Sequence, residues 1–422
     1  MIHRTNKDTA FTIIAQNYIG FGVALAVSMK ESNPDIDFYI FFSDGMEEDT
    51  LGVLEKHDVA GVNIQGLSCA DIFLDMAFYY EITEYCTAIK PFLIDELFNA
   101  GYQTTCYIDP DIYVYDSLKE HVLSHLHNYN ALVTPHLCSP IPDTKLPGEQ
   151  GHLRSGTYNL GFIAVKNSPV GRDLVTWWME KCRHHCSNDP FYGLFVDQKW
   201  INLVPGMFED IYISRYLGLN MAYWNLHERT IENDRVNGEM ALVFFHFSGF
   251  VTNDINCISK YQNRYTLKDR PDLGPLFENY KRCVDQIFQG LPGLPDYKYS
   301  EYSDGRAISL IARQFYHWNL EKLANPFSSP QAEEAFLRAL KSEGITEARR
   351  GSNAAAAPSD INRKAKKINY LMRLLIKLIG PNKYAALCKY FGHLSSLNHQ
   401  KFLLKQYAHT NVIEDGRNHL RR

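Results

Sequence analysis

Two aspartates separated by one residue are the strongest chemical signal in the sequence. Asp109 and Asp111 lie in the segment Tyr107-Ile-Asp-Pro-Asp-Ile-Tyr-Val114, directly after a predicted strand. Two carboxylates at a strand end can clamp a hard divalent cation, which prefers oxygen ligands and can itself grip a diphosphate. Because Asp and Pro are also common turn residues, the same segment is compatible with a turn that merely closes the strand.

Three further segments carry polar residues within or beside apolar runs. Asn159 and Gly161 lie in a strand-like run, where they suit hydroxyl recognition with close backbone approach, or form only a bulge. Asp197 and Gln198 lie near a predicted helix start, where an acid can equally be an N-cap. His246 lies in an apolar strand before Gly249, a setting in which a single histidine is more often a core residue.

Strands alternate with helices over the first part of the chain. Apolar, β-rich runs are predicted as strands at 11–15, 38–42, 104–108, 131–134, 159–165 and 242–247. Their alternation with helical patterns predicts an α/β fold with a mostly parallel sheet, whose ligands lie outside the carboxyl ends of the strands. The Pro- and Gly-rich stretch from Ser139 to Gly156 is predicted to be a lid or binding loop.

In their order and spacing these segments resemble the glycosyltransferases of the GT-A fold, specifically the retaining family 8 type, over about residues 9 to 250. The resemblance implies a Rossmann-like mixed sheet flanked by helices, and transfer of a sugar from a nucleoside-diphosphate sugar, with a UDP-sugar as the favoured donor. It implies that Asp109, Asp111 and His246 hold Mn²⁺ or Mg²⁺. It also implies a set of donor-binding residues, namely Asn17, Tyr18, Lys90, Asp109, Asn159 and Gly161.

The same resemblance implies catalytic roles for Asp197 and Gln198 and retention of the anomeric configuration. Retention can arise from front-face attack, with Asp197 orienting the donor, or from double displacement, in which Asp197 is the matching nucleophile. We favour front-face attack.

The sequence departs from the family pattern after His246. The family's His-x-x-Gly is usually followed by Lys-Pro-Trp, which is missing here, and Lys260 or Arg264 is expected to bind the donor instead. The later segments, including Asp304-Gly-Arg306, resemble bacterial surface-polysaccharide transferases with a helical C-terminal extension. This second resemblance implies a saccharide or lipid-linked acceptor and a role in capsule or O-antigen synthesis.

The charge is distributed unevenly along the chain. We expect a catalytic domain over residues 1–250, a helical extension over 251–345, a linker over 346–360 and a basic amphipathic helical tail over 361–422. The tail holds 13 Lys or Arg against two acids, so its +11 leaves the body at −16 within a net charge of −5. An acidic body argues against nucleic acid as a partner. The tail suits an anionic membrane surface, or packs on the acidic body.

Length and composition set the remaining limits. With 422 residues, 45% hydrophobic and 22% charged, the chain can bury a large core and lacks the signature of disorder. It has no signal-peptide pattern and no apolar run near the ~20 residues of a membrane span. Its nine cysteines do not suggest a disulfide framework. We therefore expect a cytoplasmic protein, with peripheral attachment to the inner face of the cytoplasmic membrane as the alternative.

Two other functions stay open at this stage. A metal-dependent nucleotidyltransferase would need a glycine-rich phosphate loop near the first strand, and Gln16-Asn17-Tyr18 is not one. A non-catalytic sugar-binding scaffold with a relict donor site would bind the donor without transferring or hydrolysing it.

Overall fold

A computed structural model describes residues 2, 5, 7–289, 291, 293, 296–347 and 358–405, with only the backbone at 358–364 and 366. By their contacts these residues form two compact units. The first falls within 1–76, 82–188 and 194–298, and the second within 77–81, 189–193 and 299–422. Residues 251–298 thus group with the first unit, and the boundary at 250 stays a prediction. The predicted linker at 346–360 lies largely outside the described residues, as does the end of the tail, 406–422.

The described residues form the following strands: β1 Asp8–Ile14, β2 Asp37–Phe42, β3 Ala60–Asn63, β4 Thr104–Ile108, β5 Ile112–Val114, β6 Ala131–Pro135, β7 Tyr158–Lys166, β8 Ile211–Ile213, β9 Met221–Ala222, β10 Ile231–Glu232, β11 Arg235–Val236, β12 Met240–Ala241 and β13 Phe244–His246. The helices are α1 Ile19–Ser32, α2 Glu48–His57, α3 Ala70–Tyr79, α4 Ile82–Ala88, α5 Lys90–Asn99, α6 Glu149–Ser155, α7 Pro169–His184, α8 Gln198–Ile201, α9 Val204–Met207, α10 Gly274–Phe288, α11 Leu310–Trp318, α12 Pro330–Ser342, α13 Pro358–Ile379 and α14 Pro381–Leu394.

The first unit is built on a seven-stranded sheet in the order β3-β2-β1-β4-β7-β6-β8. Strands β3, β2, β1 and β4 are parallel, whereas β7 runs antiparallel to both of its neighbours, β4 and β6. A second small sheet has the order β5-β13-β9, and β10 to β12 form a third. The expected fold class, a mixed α/β sheet flanked by helices and followed by a mainly helical region, is confirmed.

Continuous burial explains why the central strands show no regular alternation of polar and apolar residues. In β1 every residue after Asp8 is buried, and all five residues of β4 are buried. A strand covered on both faces needs no polar alternation. Two hydrophobic clusters pack around these strands, one including Val23, Phe245 and Phe277, the other Leu25, Ile108 and Phe244. They fix the strand ends at which the polar residues lie.

Two local differences from the sequence expectations affect the site. The stretch 139–156 is not all loop, because it contains the helix α6, which begins after Gly148 in extended conformation. The short strand β5 was not predicted, since three residues carry too little pattern to reveal a strand.

The second unit has its own aromatic core. The Phe78 ring contacts Tyr316, Phe327 and Phe336, with ring centroids 5.0, 5.0 and 5.1 Å away. The buried Arg313 guanidinium donates hydrogen bonds to backbone carbonyls, including that of Phe78 at 2.6 Å. Helices are observed where the tail was expected to be helical, in α13 and α14. Within the described residues, no helix combines the length and apolarity that crossing a bilayer requires.

Candidate functional site

Strand pairing brings the two aspartates and the late histidine together. Asp109 and Asp111 lie in the connection between β4 and β5. Strand β5 pairs antiparallel with β13, in a register that puts Ile112 opposite His246. The backbone N–H of Phe247 donates to the Asp111 carbonyl oxygen at 2.8 Å. Residues far apart in sequence therefore meet at the carboxyl end of β4, the edge at which ligands of α/β sheets are expected.

The three side chains form one compact group. One ligand atom from each lies within 4.8 Å of the others, and no other such group of His, Cys, Asp or Glu occurs among the described residues. His246 Nε2 lies 3.0 Å from Asp111 Oδ1 and 3.7 Å from Asp109 Oδ2. The Tyr107 hydroxyl donates to Asp109 Oδ1 at 2.6 Å, which fixes this carboxylate.

The group fits a divalent cation. His246 is buried, and its Nδ1 lies 3.3 Å from Asn220 Oδ1. An Nδ1–H donated to this oxygen leaves the Nε2 lone pair on the side of the carboxylates, the arrangement usual for metal-binding histidines. Asn220 is itself held, because its amide nitrogen donates to Thr134 Oγ1 at 2.8 Å and to Asn159 Oδ1 at 3.0 Å. Two carboxylates and one imidazole suit Mn²⁺, and the carboxylates alone suit Mg²⁺.

The charges of the group act on one another. Burial lowers the pKa of His246, but the carboxylates of Asp111 and Asp109 outweigh it and the net pKa is raised. Burial raises the pKa of Asp109, opposed by the charges on Lys90 and His246. The site therefore concentrates negative charge on two partly buried carboxylates, a situation that a bound cation would relieve.

Gly161 gives the group the room it needs. The glycine lies in β7, and its carbonyl oxygen accepts a hydrogen bond from the Asp109 backbone N–H at 2.7 Å. A Cβ at this position would contact His246 and lie 2.8 Å from both Asp109 Oδ2 and Asn159 Oδ1. Asn159 Oδ1 also accepts from the Gly161 N–H at 3.1 Å. The Asn-x-Gly pattern thus has a steric cause here, since any side chain would enter the metal-binding group.

A buried ion pair lies behind the group. Lys90 Nζ is 2.6 Å from Asp197 Oδ2, and each side chain is 1% exposed. The same ammonium donates to the Leu160 carbonyl at 2.8 Å and lies 4.0 Å from the centre of the Tyr107 ring. Burial raises the pKa of Asp197, and Lys90 opposes this rise. Lys90 therefore contacts protein groups on several sides, and its role in donor binding stays a prediction.

Asp197 and Gln198 are held in place by different contacts. Asp197 makes no capping hydrogen bond at the start of α8, so the N-cap interpretation does not describe it. Val196, which precedes it, has a positive φ of 42°, a strained conformation for a β-branched residue and one that clusters at functional sites. Gln198 Oε1 accepts from the Leu160 N–H at 3.0 Å, and its Nε2 donates to the Ser155 carbonyl at 3.1 Å.

Asn17 and Tyr18 lie directly after β1, in a short 3₁₀ turn. The Tyr18 side chain is about half exposed, and its pKa is raised by burial, by Asp111 and by Tyr261. Asn17 Oδ1 is buried and has no hydrogen-bond partner among the described residues. Both residues are in positions open to a ligand, and their donor contacts stay predictions.

Lys260 and Arg264 differ in exposure. Lys260 is exposed, with its ammonium 5.1 Å from the centre of the Tyr261 ring. Arg264 is buried, and its guanidinium bonds Asp143 Oδ2 at 2.9 Å and the Lys145 carbonyl at 3.0 Å. Arg264 thus fastens the 139–156 stretch to the segment after His246. Of the two expected donor-binding cations, Lys260 is the accessible one.

Sequence reasoning missed several members of the site. Tyr107 and Asn220 fix Asp109 and His246, respectively. Tyr107 lies in the Asp-Pro-Asp segment but the pattern gives it no role there, and Asn220 belongs to no motif. Asn220 has a positive φ of 55°. Its position two residues after Gly218 is the only sequence sign of a turn there. Trp224 packs edge-on against His246 with ring centroids 5.1 Å apart. Trp224 belongs to the run Tyr223-Trp-Asn-Leu-His-Glu-Arg229, whose mixture of polar and aromatic residues is a sequence signal for such a contact.

No known family profile matches the sequence. It is similar to the uncharacterized protein YfnF of Bacillus subtilis strain 168, with 26% identity over 294 residues, which cover 67% of this chain and 93% of that protein. YfnD of the same strain is 22% identical over 298 residues, which cover 68% of this chain and 92% of that protein.

Solved structures similar to this chain include glycosyltransferases. One is the galactosyltransferase LgtC in complex with donor and acceptor sugar analogs, with 14% identity, a TM-score of 0.40 and coverage of 68% of this chain and 98% of LgtC. Another is the bifunctional glycosyltransferase WbbM, with 13% identity, a TM-score of 0.42 and coverage of 68% and 52%. Because these scores are low, the function proposed below rests on the geometry of the site.

A methyl group at position 161 should disrupt the metal-binding group. We expect Gly161→Ala to lower the free energy of unfolding by about 1–3 kcal/mol, as overpacking does, and to weaken Mn²⁺ binding. Calorimetric titration with Mn²⁺ and urea denaturation measure the two effects. Gly206→Ala is the matched control, because a Cβ there has no neighbouring atom within 4 Å. Equal Mn²⁺ affinity in both variants would contradict the steric role of Gly161.

Removal of the buried ammonium should destabilise the protein. We expect Lys90→Met to lower the free energy of unfolding by about 3–5 kcal/mol, because it leaves the Asp197 carboxylate buried without its partner. Adding Asp197→Asn to this variant should recover part of the loss. Lys30→Met, which breaks the exposed pair with Asp58, is the control and should change stability little. If urea denaturation shows the same loss of unfolding free energy for Lys90→Met and Lys30→Met, the stabilising role of the buried pair is refuted.

Proposed function

We propose that the protein is a divalent-metal-dependent glycosyltransferase that moves a sugar from a nucleoside-diphosphate sugar to a saccharide or lipid-linked acceptor. The single observation that carries the proposal is the group formed by Asp109, Asp111 and His246 at the carboxyl end of β4, fixed by Tyr107 and Asn220. A compact group of two carboxylates and one imidazole, held by hydrogen bonds to neighbouring side chains, suits a functional metal site better than a turn.

Mn²⁺ or Mg²⁺ is the proposed cofactor. When bound, the cation supplies a Lewis acid that neutralises the diphosphate leaving group. Asp109 and Asp111 would hold it through oxygen, and His246 through Nε2. The exposed Lys260 could add positive charge beside the diphosphate, whereas Arg264 is taken up by Asp143 and the backbone. Asn17 and Tyr18, at the end of β1, are the proposed contacts for the nucleoside, for which uridine is our first choice.

Asp197 acts as a positioning acid in this proposal. Its carboxylate is 1% exposed and held by Lys90 at 2.6 Å, which suits orientation of the donor sugar better than nucleophilic attack. Gln198 fixes the position of Asp197 relative to β7. Its side-chain amide is hydrogen-bonded to the backbone of both Leu160 and Ser155. This arrangement favours front-face attack with retention over double displacement.

The proposed step exchanges one bond of the sugar. The acceptor oxygen forms the new bond to the anomeric carbon, while the bond from that carbon to the diphosphate oxygen breaks and its electron pair leaves with the diphosphate. The acceptor proton passes to the departing phosphate oxygen on the same face. No external oxidant or reductant is needed. Preorganised charge at the leaving group is the main source of rate acceleration in this scheme.

The α13 face supports a peripheral membrane location, which would suit a lipid-linked acceptor in the synthesis of a surface polysaccharide. Leu371 and Leu378 are 61% and 82% exposed on one side of α13, with Leu374 between them. The cations Arg373 and Lys377 are exposed on the same helix. An apolar stripe beside exposed cations is the arrangement of helices that lie on anionic lipid.

Loss of one carboxylate should abolish metal-dependent chemistry. We expect Asp111→Ala to lower Mn²⁺-dependent donor turnover at least ~100-fold, because even partners behind metal ligands contribute about 10- to 100-fold. A panel of nucleotide sugars with Mn²⁺, scored for hydrolysis and transfer, measures the effect. Asp173→Ala, at an exposed position of α7, is the control. Unchanged turnover in Asp111→Ala would remove the metal from the mechanism, and donor binding without any turnover would favour a non-catalytic scaffold.

Neutralising the cations of α13 should release the protein from lipid. Each basic residue near an anionic surface adds about 1 kcal/mol, so replacing Lys367, Arg373 and Lys377 by Gln should weaken binding ~100-fold. Flotation with phosphatidylglycerol vesicles measures binding, and phosphatidylcholine vesicles report the charge dependence. Replacement of Lys30, Lys56 and Lys166 in the first unit by Gln is the matched control. Equal flotation of both triple variants, or of a chain lacking residues 361–422, would defeat the membrane proposal.

A further inference from the structure

A cluster of three histidines and one tryptophan extends from the metal-binding group towards the 139–156 stretch. The Trp224 ring packs edge-on against His246 at 5.1 Å and against His136 at 5.3 Å between ring centroids. His136 in turn lies 4.9 Å from His152 of α6. His227 lies against the start of the same stretch, with its Nε2 3.2 Å from the Ser139 carbonyl oxygen. We call Trp224, His136, His152 and His227 the imidazole–indole cluster.

Three atoms of the imidazole–indole cluster are buried without a hydrogen-bond partner among the described residues. They are Trp224 Nε1, His152 Nε2 and His227 Nδ1. Trp224 is 3% exposed, His152 8%, and the His227 side chain 2%. Buried side-chain nitrogens are normally paired, so three unpaired ones in neighbouring side chains indicate a place where a ligand supplies the partners.

The fourth member of the cluster connects it to the donor side. His136 Nε2 lies 3.3 Å from the Asn159 amide nitrogen, and Asn159 is hydrogen-bonded to Asn220 behind His246. The same Asn159 stands two residues from Gly161. A molecule bound by the cluster would therefore be next to the sugar of a donor held at Asp109 and Asp111.

Two buried guanidinium groups near the cluster are paired with acids. Arg264 is paired with Asp143 at 2.9 Å, and Arg229 lies 3.4 Å from Glu228, although Arg264 Nη1 and Arg229 Nε have no hydrogen-bond partner among the described residues. Burial, Arg264 and His227 lower the pKa of His152 to about 4, so its imidazole is neutral at pH 7 and offers one donor and one acceptor. Such a lining pairs with hydroxyl groups, and the nearby carboxylates disfavour an acidic ligand.

The 139–156 stretch contributes His152 to the cluster and is held in place by hydrogen bonds from the segment after His246. Arg264 Nη2 donates to the carbonyls of Lys145 at 3.0 Å and Pro147 at 3.1 Å, and the Leu146 N–H donates to Asn263 Oδ1 at 2.7 Å. Helix α6 then turns His152 inward while its neighbour Leu153 is 71% exposed. The predicted binding loop thus presents a polar side chain to the interior.

We propose that the imidazole–indole cluster is the acceptor subsite and that it takes an uncharged saccharide, whose hydroxyl groups pair with Trp224 Nε1, His152 Nε2 and His227 Nδ1. The role of the cluster as an acceptor site rests on the proposed glycosyltransferase function, whereas saccharide binding by the cluster does not. His152 discriminates between ligands in this view, because it pairs with a hydroxyl and has no charge to offer a carboxylate.

Two sets of probes test the subsite in the full chain. Binding of methyl hexopyranosides and of the corresponding methyl hexuronides is followed by ligand-observed NMR, and donor hydrolysis is measured separately with the nucleotide-sugar panel and Mn²⁺. We expect an uncharged glycoside to bind at least about tenfold more tightly than its uronide. His152→Ala should weaken glycoside binding by about tenfold, the loss of one or two neutral hydrogen bonds, and His152→Gln should restore part of it.

Further variants separate the subsite from general damage. Trp224→Phe keeps an aromatic ring but removes the N–H, and should weaken glycoside binding more than donor binding. His121→Ala, which removes an imidazole stacked on Tyr216 at 4.5 Å, should change neither. The proposal is overturned if no uncharged glycoside binds the wild-type chain, if uronides bind better, or if His152→Ala binds glycoside as the wild type does.

The outcomes also separate this inference from the proposed function. If the protein hydrolyses the donor but binds glycosides equally well with and without His152, the transferase proposal stands and the subsite is refuted. Glycoside binding that depends on His152, without donor hydrolysis under any condition, would establish the saccharide site and refute the transferase.

Discussion

The antiparallel pairing of β5 with β13 is the constraint on which the candidate site depends. It sets His246 opposite Ile112, so that an imidazole from late in the sequence meets the carboxylates of Asp109 and Asp111. Strand registers are specific because a shift by one residue turns every side chain to the other face. A slip of β13 would therefore exchange His246 for a phenylalanine on either side, and the metal-binding group would lose its only nitrogen ligand among the described residues.

Charge burial is the second constraint, and it couples the site to stability. Lys90 and Asp197 are both almost fully buried, and the ammonium also contacts the Tyr107 ring. Because Tyr107 donates to Asp109, one chain of contacts links the ion pair to the metal-binding group. Transfer of two charges from water costs several kcal/mol per ion, so a buried pair retained behind the metal-binding group indicates a requirement of function more than of folding. The chain of contacts would keep Asp197 fixed while a donor binds and leaves.

Three unpaired nitrogens are buried in neighbouring side chains of the region beside the metal-binding group. They belong to the imidazole–indole cluster, next to a segment fastened by Arg264. A protein bears the cost of such atoms where they serve recognition, since the same residues could otherwise be apolar. Donor and acceptor would thus meet on opposite sides of Asn159.

The sequence by itself determined the α/β alternation, the strand that ends just before Asp109, the glycine at 161 and the basic tail. These are local properties, because buried strands read as apolar runs and short polar motifs follow them directly. Only the tertiary structure decided which residues meet. Strand β5 is too short to leave a sequence pattern, and Asn220 belongs to no motif. The cations Lys90 and Arg264 form ion pairs with Asp197 and Asp143, which are distant in sequence. Side-chain pairing across a fold depends on strand register and burial, and neither can be read from a single segment.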